Sequence, residues 1–252
     1  MNVRLFTCLL FLPLLLFSCG EQATVIVAKK YSAKRIEIGS KLEQDEKLVS
    51  IIAPYKDQLD AEMNEVLAIS KKEMFKGKPE SEMGNLIADA VLKKCRDYHD
   101  AKIDFGFVNY GGIRVPFLSK GHISVRKIFE LMPFDNMLVI MELDGETTEV
   151  LLDHIAINGG WPISGASFVI IDSSKATNIM IGNEPFDTSK NYTIALSDYL
   201  ANGGDNLAML SNLEHTNLNV LVRNALLEYF KEEGAKTDSI TANLEGRITH
   251  AE

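Results

Sequence analysis

Helical and strand patterns alternate along this chain from residue 45 to residue 232 without settling into a β-α-β rhythm, and that irregular alternation limits the fold more than any other feature. Leu48, Ile51, Ile52, Tyr55, Leu59 and Met63 recur at helical spacing, so 45–64 reads as an amphipathic helix with an acidic outer face. Ser81 or Glu82 precedes a second helix over 84–97. Ile103–Asn109 alternates and ends at Gly111-Gly112, a buried strand delivering a turn. Ser124 caps a short helix through Leu131, and Pro133 stops it. Met137–Leu143 reads as a strand, Asp144-Gly145 as a turn and 145–157 as a helix. Strands near 166–171 and 176–181 are joined by the turn Asp172-Ser173-Ser174-Lys175, and Tyr192–Ser197 is another strand. His215–Glu232 reads as a long helix with Leu218, Leu221, Val222, Ala225, Leu226 and Tyr229 on one face. The expected class is mixed α/β (α+β) with a layered mixed sheet, not a doubly wound parallel one. No internal repeat or low-complexity segment interrupts it.

The first residues are of another kind. Met1-Asn2-Val3-Arg4 carries one positive charge, and Leu5 to Phe17 is almost wholly apolar. That is signal-peptide shape, short of the roughly 20 apolar residues a spanning helix needs. Leu16-Phe17-Ser18-Cys19-Gly20 resembles the bacterial lipoprotein cleavage box, in which a small residue gives a peptidase access and the cysteine thiol takes the lipid. The expected organisation is a signal peptide at 1–18, a lipid-anchored tether at 19–39 ending in a short strand at Arg35–Ile38, and a folded domain at 40–252. The protein is expected to be exported and held by lipid on Cys19 to a bacterial membrane, at the periplasmic face or the cell surface. Cys8 leaves with the leader, so Cys95 has no disulfide partner in the mature chain. It sits in a helical pattern with Leu86, Ile87, Ala90, Val91 and Lys94, and reads as a small packed side chain.

The net charge is −9, one unit more negative once Arg4 is removed, and no basic block offsets it. Duplex binding rests on phosphate neutralisation, so no nucleic-acid partner is expected. The chain's own charge does not favour an anionic lipid surface either.

Four segments carry the candidate chemistry. Asn109-Tyr110-Gly111-Gly112-Ile113-Arg114 puts two adjacent glycines, which admit close backbone approach, before an arginine that can fork onto an anion. Leu131-Met132-Pro133-Phe134-Asp135-Asn136 places an aromatic on a rigid turn. Ser197-Asp198-Tyr199-Leu200-Ala201-Asn202-Gly203-Gly204-Asp205 repeats the theme with an aromatic, a double glycine and an acid. Glu82-Met83-Gly84-Asn85-Leu86-Ile87-Ala88-Asp89-Ala90 opens a helix. Taken singly, each also reads as an ordinary turn, packed aromatic or helix start.

In this order the four are very specific. Over about residues 40–232 the chain is similar to the C-terminal, substrate-binding domain of the 5'-nucleotidase family, which includes periplasmic UDP-sugar hydrolases and cyclic-nucleotide phosphodiesterases. The resemblance implies a layered α/β/β/α sandwich and a nucleotide or nucleoside ligand. Phe134 and Tyr199 match the two aromatics that sandwich the base, with Tyr199 replacing the more usual Phe. Asp205 matches the acid that accepts from the ribose hydroxyls. Asn109 and Asn136 match positions near the base, Gly111 and Gly112 form the turn beside them, and Arg114 matches an arginine of the phosphate clamp.

Two departures shape the expectation. Where the family usually carries further arginine, this chain reads Lys76-Gly77-Lys78-Pro79-Glu80-Ser81, so the clamp rests on Arg114, helped by Lys76 or Lys78. The family's hydrolases also have an N-terminal two-metal phosphatase domain with Asp-x-His and Asn-His-Asp/Glu ligands. The five histidines here are His99, His122, His154, His215 and His250, and Asp97-Tyr98-His99 fits Asp-x-His without an Asn-His-Asp partner. No catalytic or metal-ligating residue is therefore expected in this chain, nor any cofactor of its own. Two divalent metals are expected in a partner, an exported metallophosphatase polypeptide. The chain then reads as the nucleotide-recognition half of a 5'-nucleotidase-like hydrolase, not active alone. The alternative is a lipid-anchored nucleotide or nucleoside receptor with no catalytic role.

Overall fold

The computed structural model describes residues 32–37, 39 and 42–251. The leader, the Cys19 box and the tether through residue 31 lie outside the described residues. The chain divides into two units, Met1–Val49 and Ser50–Glu252. In the first, residues 32–37 are irregular, so the strand expected at Arg35–Ile38 is not formed over its described part, 35–37. Asp45 Oδ1 accepts the N–H groups of Lys47 and Leu48 at 3.0 and 3.2 Å, which starts helix α1, Glu46–Met63. Its apolar stripe lies at the expected positions, yet none of its residues is buried. Spacing defines a face; it does not supply the surface that covers it.

The second unit continues through β1 Val66–Ser70, β2 Met74–Phe75, α2 Glu82–Tyr98, β3 Phe105–Phe107, β4 Phe117–Leu118, β5 Gly121–Ser124 and α3 Val125–Leu131. There follow β6 Met137–Leu143, α4 Gly145–Ile157, β7 Ile163–Ser164, β8 Ala166–Ile171, β9 Lys175–Ile181, β10 Glu184–Pro185 and β11 Tyr192–Ser197. The chain ends with α5 Asp198–Ala201, β12 Thr216–Leu221, α6 Val222–Lys236 and β13 Ile248–His250. Side-chain oxygens cap the helices that the sequence marks. Ser81 accepts from Gly84 N–H at 3.1 Å, Ser124 from Lys127 at 3.4 Å and Asp144 from Thr147 at 2.7 Å.

A five-stranded sheet in the order β12-β6-β11-β3-β7 forms the centre. Only β3 and β11 run parallel in it; β6–β11, β12–β6 and β3–β7 are antiparallel. A second sheet has the order β10-β9-β8-β13. The fold is the mixed α+β arrangement that the irregular alternation called for. Strand β6 shows how it is held. Leu138 and Ile140 point into a core shared with α2, α3 and α6. Val139, Met141 and Leu143 point into a core shared with α4 and the second sheet. Each such side chain, fully buried, contributes about 1.5–3 kcal/mol. Cys95 is fully buried on the α2 side, and burial pushes its thiol up to about 12, so it packs and does not react.

Two expectations need correction. Strand β3 covers only 105–107 of the stretch 103–109, and Tyr110–Gly112 form a 3-10 turn. The long helix over His215–Glu232 is instead strand β12 followed by helix α6. Thr216 and Asn217 pair with Ile140 and Val139, and the ladder to β6 resumes at Leu221 opposite Met137.

Candidate functional site

Three neighbouring strands end at one edge of the central sheet. Parallel β3 and β11 deliver Asn109 and Tyr199 just beyond their C-terminal ends, and antiparallel β6 begins there, so Asn136 immediately precedes it. The register Ser197↔Leu138 puts Tyr199 and Asn136 at the same edge. A cleft of about 260 Å³ opens at that point, lined by Asn109, Gly111, Gly112, Arg114, Phe134, Asn136, Tyr199 and Asp205. All eight sequence-derived candidates thus converge on one surface. Its volume is just below the usual range for small-molecule sites, about 300–1,000 Å³. A larger groove of about 920 Å³, lined by Arg96, His99, Asp104, Glu184 and Lys190 among others, lies at the opposite ends of β3 and β11 and shares none of these residues.

Asp205 is the hub of the cleft. Its Oδ2 accepts from Asn109 Nδ2 at 2.6 Å and its Oδ1 accepts from the Tyr199 hydroxyl at 2.7 Å. Its own N–H donates back to the Tyr199 oxygen at 3.2 Å. The backbone at Asp205 is left-handed, with φ 51° and ψ 37°, a conformation that Asp and Asn reach more readily than other side chains. Each carboxylate oxygen has two acceptor sites, so one protein donor on each fixes the group and leaves an acceptor site on each oxygen for a ligand. The hydrogen bond to Asp205 is the main cause holding the Tyr199 phenol above its ordinary value, so the hydroxyl stays protonated and donating. Phe134 and Tyr199 are both exposed, at 38% and 43%, and both line the cleft, so their rings are open to a ligand there.

Positive charge collects at the Arg114 side. The Arg114 guanidinium lies 5.6 Å from the Phe134 ring centroid, and its Nη1 donates to the Gly111 carbonyl at 3.4 Å. Lys76 Nζ sits 3.8 Å from the Tyr110 ring centroid and donates to Ile113 O at 2.7 Å. Lys78 Nζ lies 4.7 Å from the same ring and donates to Asn158 O. Burial, then the charges of Arg114 and Lys78, hold the Lys76 ammonium below its ordinary value. Arg114 and Lys78 therefore both lie close enough to repel Lys76, while all three cations are bonded to neutral carbonyls. An anion among them would relieve that repulsion.

The family model of the 5'-nucleotidase C-terminal domain matches residues 65–212, more than half of the chain. The chain belongs to that family. The 5'-nucleotidase of Vibrio parahaemolyticus is 24% identical over 185 residues, covering 69% of this chain and 31% of the relative. Protein UshA of Escherichia coli is 26% identical over 190 residues, covering 71% and 33%. The solved 5'-nucleotidase precursor from Thermus thermophilus superposes with a TM-score of 0.69 at 27% identity, covering 82% of this chain and 43% of that one. NAD nucleotidase from Haemophilus influenzae, 17% identical with a TM-score of 0.62 and covering 82% of this chain and 42% of that one, shares the fold. The chain spans about a third of the length of these curated relatives.

Several residues that support the cleft of this 5'-nucleotidase-family domain were not legible as site residues. His154 Nε2 lies 3.0 Å from the Asp205 carbonyl; since a carbonyl only accepts, Nε2 carries the hydrogen. The His154 ring stands edge-on to Trp161 at 5.4 Å, and Trp161 stacks on Phe107 at 6.2 Å. Asp198 Oδ1 accepts from both Met137 N–H, at 3.0 Å, and Tyr199 N–H, at 2.7 Å, tying the start of β6 to the Tyr199 helix. Arg223 reaches the Phe134 connection from α6. Asp198 stands inside the Ser197–Asp205 segment but was not singled out there, and His154 and Arg223 stand in no local motif. His154 and Arg223 arrive from helices far along the chain.

Among the described residues, no group of three or more His, Cys, Asp or Glu side chains could hold a metal ion. Asp97 is engaged by Lys93 at 2.8 Å and Lys94 at 3.4 Å, and His99 Nδ1 accepts from Ala101 N–H at 3.1 Å. No helix among them is long and apolar enough to cross a membrane.

Proposed function

We propose that this domain binds a nucleoside or nucleotide in the Phe134–Tyr199 cleft as the substrate-recognition half of a 5'-nucleotidase-like hydrolase. The observation that carries the reading is the convergence of two exposed rings, a doubly anchored carboxylate and a cationic side in one cleft. The rings offer π-faces to a base, an interaction worth ~1–3 kcal/mol per base and tolerant of base identity. Asp205, its orientation fixed by Asn109 and Tyr199, offers acceptors to the two hydroxyls of a ribose. Arg114, with Lys76 and Lys78 beside it, receives the phosphate. In this proposal these residues bind and orient, and the attacking water is activated elsewhere.

The two divalent metals and the attacking water belong, in this proposal, to a metallophosphatase unit on a separate exported polypeptide. Two metals would activate the water and stabilise the transferring phosphoryl group. Cys19, outside the described residues, is proposed to carry the lipid that holds the protein at a membrane outside the cytoplasm. Confining both halves to one surface would raise their effective concentration without a covalent link. Mixing the protein with exported metallophosphatase polypeptides of its own organism is expected to give co-purification with one of them. Phosphate release from AMP should then exceed the sum of the separate activities. Absence of any interaction at any concentration, across all such polypeptides, would sink the split-enzyme reading and leave the receptor.

A further inference from the structure

We propose that Arg223 is the positioning residue of the Phe134 platform, its guanidinium holding residues 132–136 so that the ring faces the cleft. The inference rests on the nucleoside-binding reading for its consequence, but on separate contacts for its geometry. Arg223 is the second residue of α6, at the end of a helix where unpaired N–H groups make a cation unfavourable. Its side chain is only 11% exposed. Its Nε is the one buried side-chain nitrogen or oxygen without a hydrogen-bond partner among the described residues. A charged group set against the helix dipole, and left partly unsatisfied, needs a compensating role.

Every contact it makes points to the same place. Its guanidinium lies 4.4 Å from the Phe129 ring centroid, on the helix that leads into the connection. One terminal nitrogen donates to the Phe134 carbonyl at 3.1 Å. The other pairs with Asp135 Oδ1 at 2.6 Å, a carboxylate that is otherwise 79% exposed. The neighbouring Val222 N–H donates to the Asn136 carbonyl at 2.8 Å. Residues 134, 135 and 136 are thus each held from the first two residues of α6. The Phe134 ring is 38% exposed, with the Arg114 guanidinium 5.6 Å from its centroid. Its aim is therefore set by its backbone, and Arg223 bonds that backbone directly. A lysine could reach one of the two oxygens but not fork onto both.

The full chain is titrated with adenosine as wild type, Arg223→Met, Arg223→Lys and Asp135→Asn, the last at an exposed carboxylate. Arg223→Met should weaken adenosine by about 10-fold, Arg223→Lys should recover little of it, and Asp135→Asn should fall between. In a Phe134→Ala background, Arg223→Met should cost no more than about 2-fold further, because the two act through one ring. Amide hydrogen exchange without ligand should quicken over 133–137 in Arg223→Met. Unchanged exchange there overturns the proposal, as does unchanged adenosine affinity in both Arg223→Met and Asp135→Asn. Equal losses with and without the Phe134 ring overturn it too. If wild type fails to bind adenosine, the nucleoside reading falls, while the exchange arm still decides whether Arg223 holds the connection.

Discussion

Asp205→Asn is expected to weaken adenosine binding by about 10- to 150-fold, the loss of a hydrogen-bonded charge worth ~1.5–3 kcal/mol. The substitution keeps the shape of the side chain and suits the left-handed backbone at φ 51°, so the fold should be little affected. What changes is the pattern of donors and acceptors. Asn109 Nδ2 needs an acceptor, which fixes the new amide oxygen on its side. The amide nitrogen then faces Tyr199, whose hydroxyl can turn to accept in place of donating. The cleft loses a charge and presents N–H where a ribose hydroxyl needs an acceptor. The control is 2',3'-dideoxyadenosine, which lacks the diol and should bind both proteins alike. Equal weakening of both ligands would mean that Asp205 shapes the cleft and does not read the sugar.

Gly204→Ala should abolish measurable adenosine binding and destabilise the domain by about 1–3 kcal/mol, the usual cost of forcing atoms into a packed site. A Cβ at Gly204 would stand 2.5 Å from both the Tyr199 carbonyl oxygen and its ring Cζ. The Tyr199 helix or its ring must move, and with it the hydroxyl that anchors Asp205. Gly111→Ala is the contrast: its nearest neighbour would be Asn109 Nδ2 at 3.7 Å, ordinary van der Waals contact. Thermal unfolding and adenosine titration of the two variants check this. Comparable effects from both would show that the close approach to Tyr199 does not matter.

That contrast marks how far the sequence could be read. Two double glycines look the same as letters, and only the folded chain separates Gly204, which must be glycine, from Gly111, which need not be. The residues that line the cleft were legible as a group because they stand in short segments at strand ends, where a turn residue, a ring and a polar group fall within a few positions. His154 and Arg223 were hidden because each supports the site from a helix whose local pattern concerns packing. The misread helix at 215–232 has a definite cause. Leu218, Leu221 and Val222 fit helical spacing, but Leu218 and Val220 pack together at the two-residue spacing of a strand. Asn219, at φ 56°, interrupts the ladder and blurs that period. Strand β7 and the ladder of β2 and β4 are two residues long, defined by their partners and not by any pattern of their own. The expected helix faces mostly appeared where periodicity put them, α1 excepted in having nothing among its residues buried.

A base held between Phe134 and Tyr199 is what the proposed function stands on. Calorimetric titration of the full chain with adenosine, as wild type and as Phe134→Ala, decides whether it is held there. A saturable one-to-one signal, weakened by about 5- to 150-fold in Phe134→Ala, is the predicted result for a ring that contributes ~1–3 kcal/mol of stacking. No saturable signal in wild type, or equal affinities in the two proteins, would mean that no base stacks on Phe134.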